Sequence, residues 1–181
     1  MELVDVYNSR HENLNYKKGR KELGNGEYRL SCFIWVINSH DEILLQQRLS
    51  NSKKMPNMWG TTAGGAHANE TSIEGSIREL SEELGISVTK EELEFIGSYK
   101  RINDFVEVWL CKKNIDASSL TLNPSEVQDA KWFSINEFEQ MIKEGNGIDS
   151  GYDIFKMYYE NFYNKHYEFI NGKPTLLKNE K

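Results

Sequence analysis

The sequence predicts a mixed α and β layered fold, and three observations carry that reading. Short β-type runs recur, one amphipathic helix interrupts them, and a second capped helix follows the last of them. That order fits helices layered on a sheet, not a bundle or a barrel alone. With 181 residues the chain is one domain of ordinary size plus terminal extensions. Hydrophobic residues make up 38% of it, including 8 Phe, 9 Tyr and 4 Trp, enough for a core despite a mean hydropathy of −0.66.

In chain order, Val4-Asp5-Val6-Tyr7 reads as a short strand. A polar, basic stretch through Lys17, Lys18, Arg20 and Lys21 follows, with turn-forming glycines at 19, 24 and 26. Residues 1–29 are therefore an extension of strand and turns. Runs 30–37 and 42–47 form a hairpin around Asn38-Ser39-His40-Asp41. Residues 48–59 form a basic loop, and a brief strand over 59–63 enters Gly64-Gly65. The pattern from 72 to 84 is a helix closed by Gly85 at the C′ position. Runs 93–99 and 105–111 are strands, and 131–133 is a short one. Ser134 with Glu137 is a capping box that starts a helix to about residue 143. After Gly145-Asn146-Gly147 a last helix spans about 150–170. Its aromatics at 152, 155, 158, 159, 162 and 163 read as a core stripe, with stacking on a base as the functional alternative. The domain core falls at about 30–144.

Charge and apolar runs exclude several function classes. Twenty-two Lys and Arg against 28 Asp and Glu give −6, a poor balance for coating a polyanion, so no polymeric nucleic acid is expected. The longest strongly apolar run, residues 32–37, is far short of the roughly 20 residues of a membrane helix, and Met1 to Asp5 has no basic n-region. No membrane association is expected. Cys32 and Cys111 lie in apolar runs without CxxC spacing, which fits buried structural thiols and a cytoplasmic location.

Placed at 100° per residue, Ile73, Ile77, Leu80 and Leu84 of the 72–84 helix form an apolar stripe, and Glu79, Glu82 and Glu83 fall on the opposite side. Like charges at these spacings repel, so a solvated acidic face gains nothing from them. Clustered carboxylates without His or Cys select Mg²⁺, Mn²⁺ or Ca²⁺ over zinc, and Mg²⁺ shared with substrate phosphates points to phosphoryl chemistry.

The surrounding letters sharpen this. Gly64, five residues, Glu70, seven residues and then Arg78-Glu79-Leu80-Ser81-Glu82-Glu83-Leu84-Gly85-Ile86 resemble the Nudix hydrolase signature GX5EX7REUXEEXGU at every specified position. Even at one in ten for each of the seven Gly, Glu and Arg positions, such a match arises by chance about once in 10⁷ windows. The resemblance implies a Nudix fold, an α/β/α sandwich with a mixed sheet between helices. It also implies Mg²⁺-dependent hydrolysis of a diphosphate linkage in a nucleoside diphosphate derivative or related small organic diphosphate, with Mn²⁺ as a substitute metal. Carried onto this chain, Glu79, Glu82 and Glu83 are the metal ligands, Gly64 brings a backbone carbonyl to the metal, and Glu70 is a further ligand or a partner of Arg78. Arg78 orients the carboxylates. Glu79 and Glu126 are candidates for the general base, and Glu107 is another contender; for Glu126 the plain alternative is a surface carboxylate.

Arg48, Lys53 and Lys54 form a plausible clamp for a distal phosphate, and His67 is a further candidate to polarise one; solvated loop charges are the alternative for each. The segment Gln46-Gln47-Arg48 through Pro56 and Trp59 looks like the branch near isopentenyl-diphosphate isomerases. Residues 61–67 (Thr-Thr-Ala-Gly-Gly-Ala-His) lack the cysteine that such an isomerase needs, so hydrolysis is preferred. A non-catalytic nucleotide-binding regulatory module remains the other class; such modules often lose box carboxylates, and this chain has lost none. An RNA-end processing enzyme would want a basic track and is disfavoured by the charge. Homodimerisation through residues 1–29 or the aromatic helix is an open expectation.

Overall fold

The apolar run of residues 32–37 has no polar face to turn to solvent, and it becomes the strand covered on both sides, β3 (Arg29–Ile37). The structure is a computed structural model describing residues 2–163, 165–170 and 173–177. Around β3 lie β4 (Glu42–Arg48), β5 (Trp59–Gly60), β6 (Thr62–Gly65), β7 (Leu93–Lys100), β8 (Asp104–Lys112) and β9 (Val127–Ser134) in one seven-stranded sheet. β3 runs parallel to β8 from Arg29↔Asp104 to Ile37↔Lys112, and the other pairings are antiparallel.

The sheet forks. β3 and β4 pair only at Val36↔Leu44 and Ile37↔Ile43. Before that point β3 pairs with β6 (Ser31↔Gly65 to Ile34↔Thr62), beyond it β4 pairs with β5, and β9 runs along β4 over its full length from Glu42↔Ser134 to Arg48↔Val127. The gap between the two arms opens beside the site described below.

Alternation along β3 sends Cys32, Ile34 and Val36 to one face, where they pack with Leu80, Leu84 and Ile86, and Phe33, Trp35 and Ile37 to the other. The first face is covered by α1 (Ser72–Leu84). Its N-terminus carries a complete capping box between Thr71 and Glu74, and its C-terminus ends on Gly85 at φ 69°, a left-handed cap that glycine adopts without steric cost. The second face is covered by α2 (Ile135–Lys143), started by the Ser134–Glu137 capping box, and by α3 (Tyr152–Asn161). Trp35 stacks on Phe155 at 4.6 Å between centroids and meets Phe138 edge-on at 5.7 Å. The α/β/α sandwich is therefore present, and Tyr152 and Phe155 of the aromatic helix are core residues.

Three expectations are corrected. The last helix ends at Asn161, and His166–Ile170 and Lys173–Leu177 are paired antiparallel strands. The sequence signal was the Asn171-Gly172 dipeptide between two β-prone runs, overridden by the aromatic spacing. The N-terminal extension holds a second strand: β1 (Leu3–Tyr7) pairs with β2 (Asn13–Gly19). Most of that strand is exposed and polar, so it carries no apolar alternation to read. The strand before α2 runs from Val127, not 131, because Val127 and Ala130 are buried against the α1 face. Among the described residues no helix is long and apolar enough to cross a membrane.

Candidate active site

One face of α1 gathers the acidic residues around a single guanidinium. Arg78 donates from Nε to Glu70 Oε1 at 2.9 Å, from Nη1 to Glu79 Oε1 at 2.9 Å and Glu82 Oε2 at 3.0 Å, and from Nη2 to the Gly65 carbonyl at 2.8 Å. The second Glu70 oxygen accepts from Arg78 Nη2 and from the backbone N–H of His67. Burial raises the Glu70 pKa, but these donors and charges win and hold it below the usual carboxylate range.

Glu79 lies flat against the backbone of β6. A Cβ added to Gly64 would sit 2.0 Å from Glu79 Oε1, so only glycine leaves room for the carboxylate there. Burial pushes the Glu79 pKa up against the opposing Arg78 charge, and Glu82 and Glu126 add repulsion. Glu83 is 6% exposed and accepts a 2.7 Å hydrogen bond from Gln46 Nε2. Burial, with the Glu79 charge and the adjoining Glu126 carboxyl, pushes it up to about 8 despite that bond. Glu126, from the loop before β9, therefore joins the cluster, while Glu107 does not. Glu107 accepts from the Ser72 hydroxyl at the first turn of α1, seven residues or about 10 Å from Glu79 along the helix. Among the described residues no three acidic, His or Cys side chains already converge in metal-ligand geometry, because Arg78 engages Glu70, Glu79 and Glu82 and Gln46 engages Glu83.

Gln46 is shared with a passage of about 180 Å³ in the fork of the sheet, bordered by Phe33 and Ala63 on one arm and Gly60 and Thr61 on the other. Through Arg48, Met55 and Arg101 this passage continues into a cleft of about 1310 Å³. The structure brings the predicted Arg48, Lys53 and Lys54 together on one side of that cleft, with Arg48 held by a bond from Nε to the Lys54 carbonyl. His67 is not with them; its ring lies 3.7 Å from Glu2 and 4.0 Å from Glu70. Sequence reasoning missed Gln46 as a partner of Glu83, and it missed Arg20, Arg29 and Arg101, which also line the cleft. Their only signal was basic letters at strand ends, with Arg20 in the Lys17–Lys21 stretch and Arg101 next to Lys100.

In comparisons with known proteins, residues 27–151 match the family model of the NUDIX domain. An uncharacterized Nudix hydrolase of Listeria monocytogenes is 32% identical over 151 residues, covering 82% of this chain and 89% of that one. An isopentenyl-diphosphate Delta-isomerase of Escherichia coli is 29% identical over 104 residues, 54% of this chain and 57% of its own. A solved structure from Deinococcus radiodurans superposes with a TM-score of 0.70 at 18% identity, covering 87% of this chain and 99% of that one.

Proposed function

The chain belongs to the NUDIX family and is a hydrolase, and on that premise we propose that it cleaves a diphosphate linkage in a nucleoside diphosphate derivative or related small organic diphosphate, with Mg²⁺ as cofactor. The observation that carries the reading is a carboxylate cluster tied through Gln46 to the wall of a pocket that opens, past Arg48, Met55 and Arg101, into a cleft of mainly basic lining. Scissile phosphates and metal belong at the carboxylate cluster and the remaining anionic part of the substrate in the basic cleft.

The residues present fit a hard divalent cation. Three carboxylates (Glu70, Glu79 and Glu82) share one guanidinium, Glu83 and Glu126 adjoin Glu79, all donors are oxygen, and the space over Gly64 is kept clear for Glu79. Glu79, Glu82, Glu83 and the Gly64 carbonyl would hold it. When bound, the cation supplies charge neutralisation for the diphosphate and acidifies water. Arg78 positions Glu79 and Glu82, and Glu70 positions Arg78. Gln46 fixes the Glu83 carboxylate by donating to Oε2. Glu126 is exposed beside Glu79 and Glu83 and takes the proton of the attacking water at its carboxylate. Arg48, Lys53 and Lys54 hold the departing anionic group.

Isomerase chemistry finds no thiol for it. Cys32 is fully buried with its S–H directed at the Gly64 carbonyl (3.6 Å), and burial pushes it up to about 11; Cys111 is buried likewise. The test is Mg²⁺-dependent phosphate release across NDP-sugars, dinucleoside polyphosphates, NADH, CoA and isoprenoid diphosphates, with Glu83→Gln as control. Turnover that requires Mg²⁺ and collapses at least 100-fold in the variant is the expected result. Turnover indifferent to Glu83 refutes the assignment.

A further inference from the structure

The floor of the large cleft carries more positive charge than its own residues neutralise. Arg29, the first residue of β3, is only 8% exposed, and its Nη1 has no hydrogen-bond partner. Its Nη2 reaches Asp104 Oδ2 at 3.3 Å, but that carboxylate is already shared, since Arg101 donates from Nε to Oδ1 at 2.8 Å and the Ser31 hydroxyl to Oδ2 at 2.8 Å. Two guanidiniums thus divide one carboxylate. Arg20 stands beside them, with Glu2 at 3.7 Å as its nearest acid, and Glu2 is also approached by His67 at 3.7 Å. Burial and the Arg20 and Arg101 charges hold Arg29 below the usual arginine range against the pull of Asp104. A desolvated, under-neutralised guanidinium is costly on its own and gains most from an incoming anion.

Position relative to the acidic cluster gives this excess a meaning. Glu79 covers the Cβ side of Gly64, and Arg29 Nη1 covers the Cβ side of Gly65, 2.7 Å from where a Cβ would stand. Successive residues of a strand present opposite faces, so the two groups lie on either side of β6, with Cα atoms about 3.8 Å apart. The pocket in the fork has Gln46, the partner of Glu83, on its wall and shares Arg48, Met55 and Arg101 with the cleft.

We propose that Arg29, Arg101 and Arg20 form an anion subsite for a second phosphate group that the substrate carries apart from its scissile diphosphate. This deepens the hydrolase reading and rests on it for the word substrate. Guanidinium forks match the oxygens of a phosphate, and the −6 net charge of the chain suits a small anion over a polyanion.

The test separates binding from turnover. With the full chain in EDTA, calorimetric titrations compare AMP with adenosine 2′,5′- and 3′,5′-bisphosphate. At least one bisphosphate is expected to bind ten times or more tighter than AMP, and Arg20→Ala, at a half-exposed position, and Arg29→Gln are expected to remove most of that difference. The melting temperature identifies a variant that fails to fold, and Arg20→Ala then decides. With Mg²⁺, the same preference appears in KM for CoA over dephospho-CoA or NADPH over NADH, with kcat little changed. Equal affinity for AMP and both bisphosphates, or a preference that survives Arg20→Ala and Arg29→Gln, overturns the subsite. A preserved, arginine-dependent preference without turnover on any diphosphate supports the subsite and sinks the hydrolase reading alone.

Discussion

Replacing Gly64 by alanine tests the site through a single methyl group. The added Cβ would lie 2.0 Å from Glu79 Oε1, 2.1 Å from Cδ and 2.6 Å from Cγ, and all three nearest atoms belong to that one side chain. The fold therefore has no backbone to displace, while the carboxylate must retreat by about 1.4 Å to reach ordinary contact at 3.4 Å. A misplacement of about 1 Å in a catalytic group costs on the order of 100-fold in rate. Loss of the Arg78–Glu79 contact costs about 1–2 kcal/mol, offset in part by relief of Glu79–Glu83 repulsion, so melting falls by no more than about 2–8 °C. Gly75→Ala is the control: its nearest contact is Ala66 Cα at 3.3 Å, and alanine in a helix interior gains roughly 1 kcal/mol over glycine. The assay is Mg²⁺-dependent phosphate release beside a thermal melt of both variants. A Gly64→Ala protein that keeps activity within threefold, or loses its fold before its activity, refutes the reasoning.

Glu126→Gln is expected to lower kcat by about 100-fold while Mn²⁺ binding, followed by electron paramagnetic resonance, stays within a few-fold. Unchanged kcat would remove Glu126 from the base role. Asp104 is held below the usual carboxylate range: burial alone would raise it, but hydrogen bonds from Arg101 and Ser31 and the Arg101 and Arg29 charges outweigh that. A depressed carboxylate contributes stability that is present above its unfolded pKa of about 3.9 and lost as pH falls through the folded value, so the wild type loses this increment in acid below about pH 4. Asp104→Asn is expected to cost about 3 kcal/mol at pH 7, a fall of about 6–12 °C in melting, and to flatten the acid limb of a stability-against-pH curve. Trp35→Ala removes a fully buried ring and is expected to cost about 3–5 kcal/mol in urea unfolding, whereas Trp35→Phe, which also deletes a buried Nε1 without a partner, costs clearly less. Equal losses for the two would show that ring volume is not what holds the second face.

What the sequence made legible follows from which features are local. The Ser134–Glu137 capping box, the Gly85 cap and the 72–84 helix depend on residues within four positions of each other, and the bounds of that helix coincide with those read from the letters, although its own Thr71–Glu74 box went unread. The acidic face of that helix was equally local. Contacts made across the fold were illegible: Gln46 reaches Glu83 from 37 positions away, and Arg29 meets Asp104 across 75. Neither residue type advertises its partner. The strand Asn13–Gly19 was missed for a related reason, because its register comes from Leu3–Tyr7 rather than from any pattern of its own. Glu107 was misplaced because strand alternation fixes its face but not its height along α1.

The two-residue pairing of β3 and β4 connects fold to chemistry. Had the strands paired along their full lengths, backbone hydrogen bonds would close the space between Phe33 and Gln46, and the carboxylates of α1 would be walled off from the arginines beyond. Because β3 leaves for β6 and β4 for β5, each strand keeps a backbone partner while the arms separate. Gln46 sits where they part. Its side chain accepts from Thr62 Oγ1 on one arm while donating to Glu83, so it ties the passage wall to the carboxylate cluster. Gln46→Leu is close in size and removes both bonds. It leaves Glu83 buried beside Glu79 and Glu126 without its donor, which favours the protonated carboxyl, and a protonated carboxyl is a poor ligand for a cation. The expected result is weaker Mg²⁺ dependence of activity, with half-saturation at tenfold or more higher metal, and a deficit that shrinks as pH rises. A Gln46→Leu enzyme with wild-type metal dependence from pH 7 to 9 would show that Glu83 is not held for a metal at all.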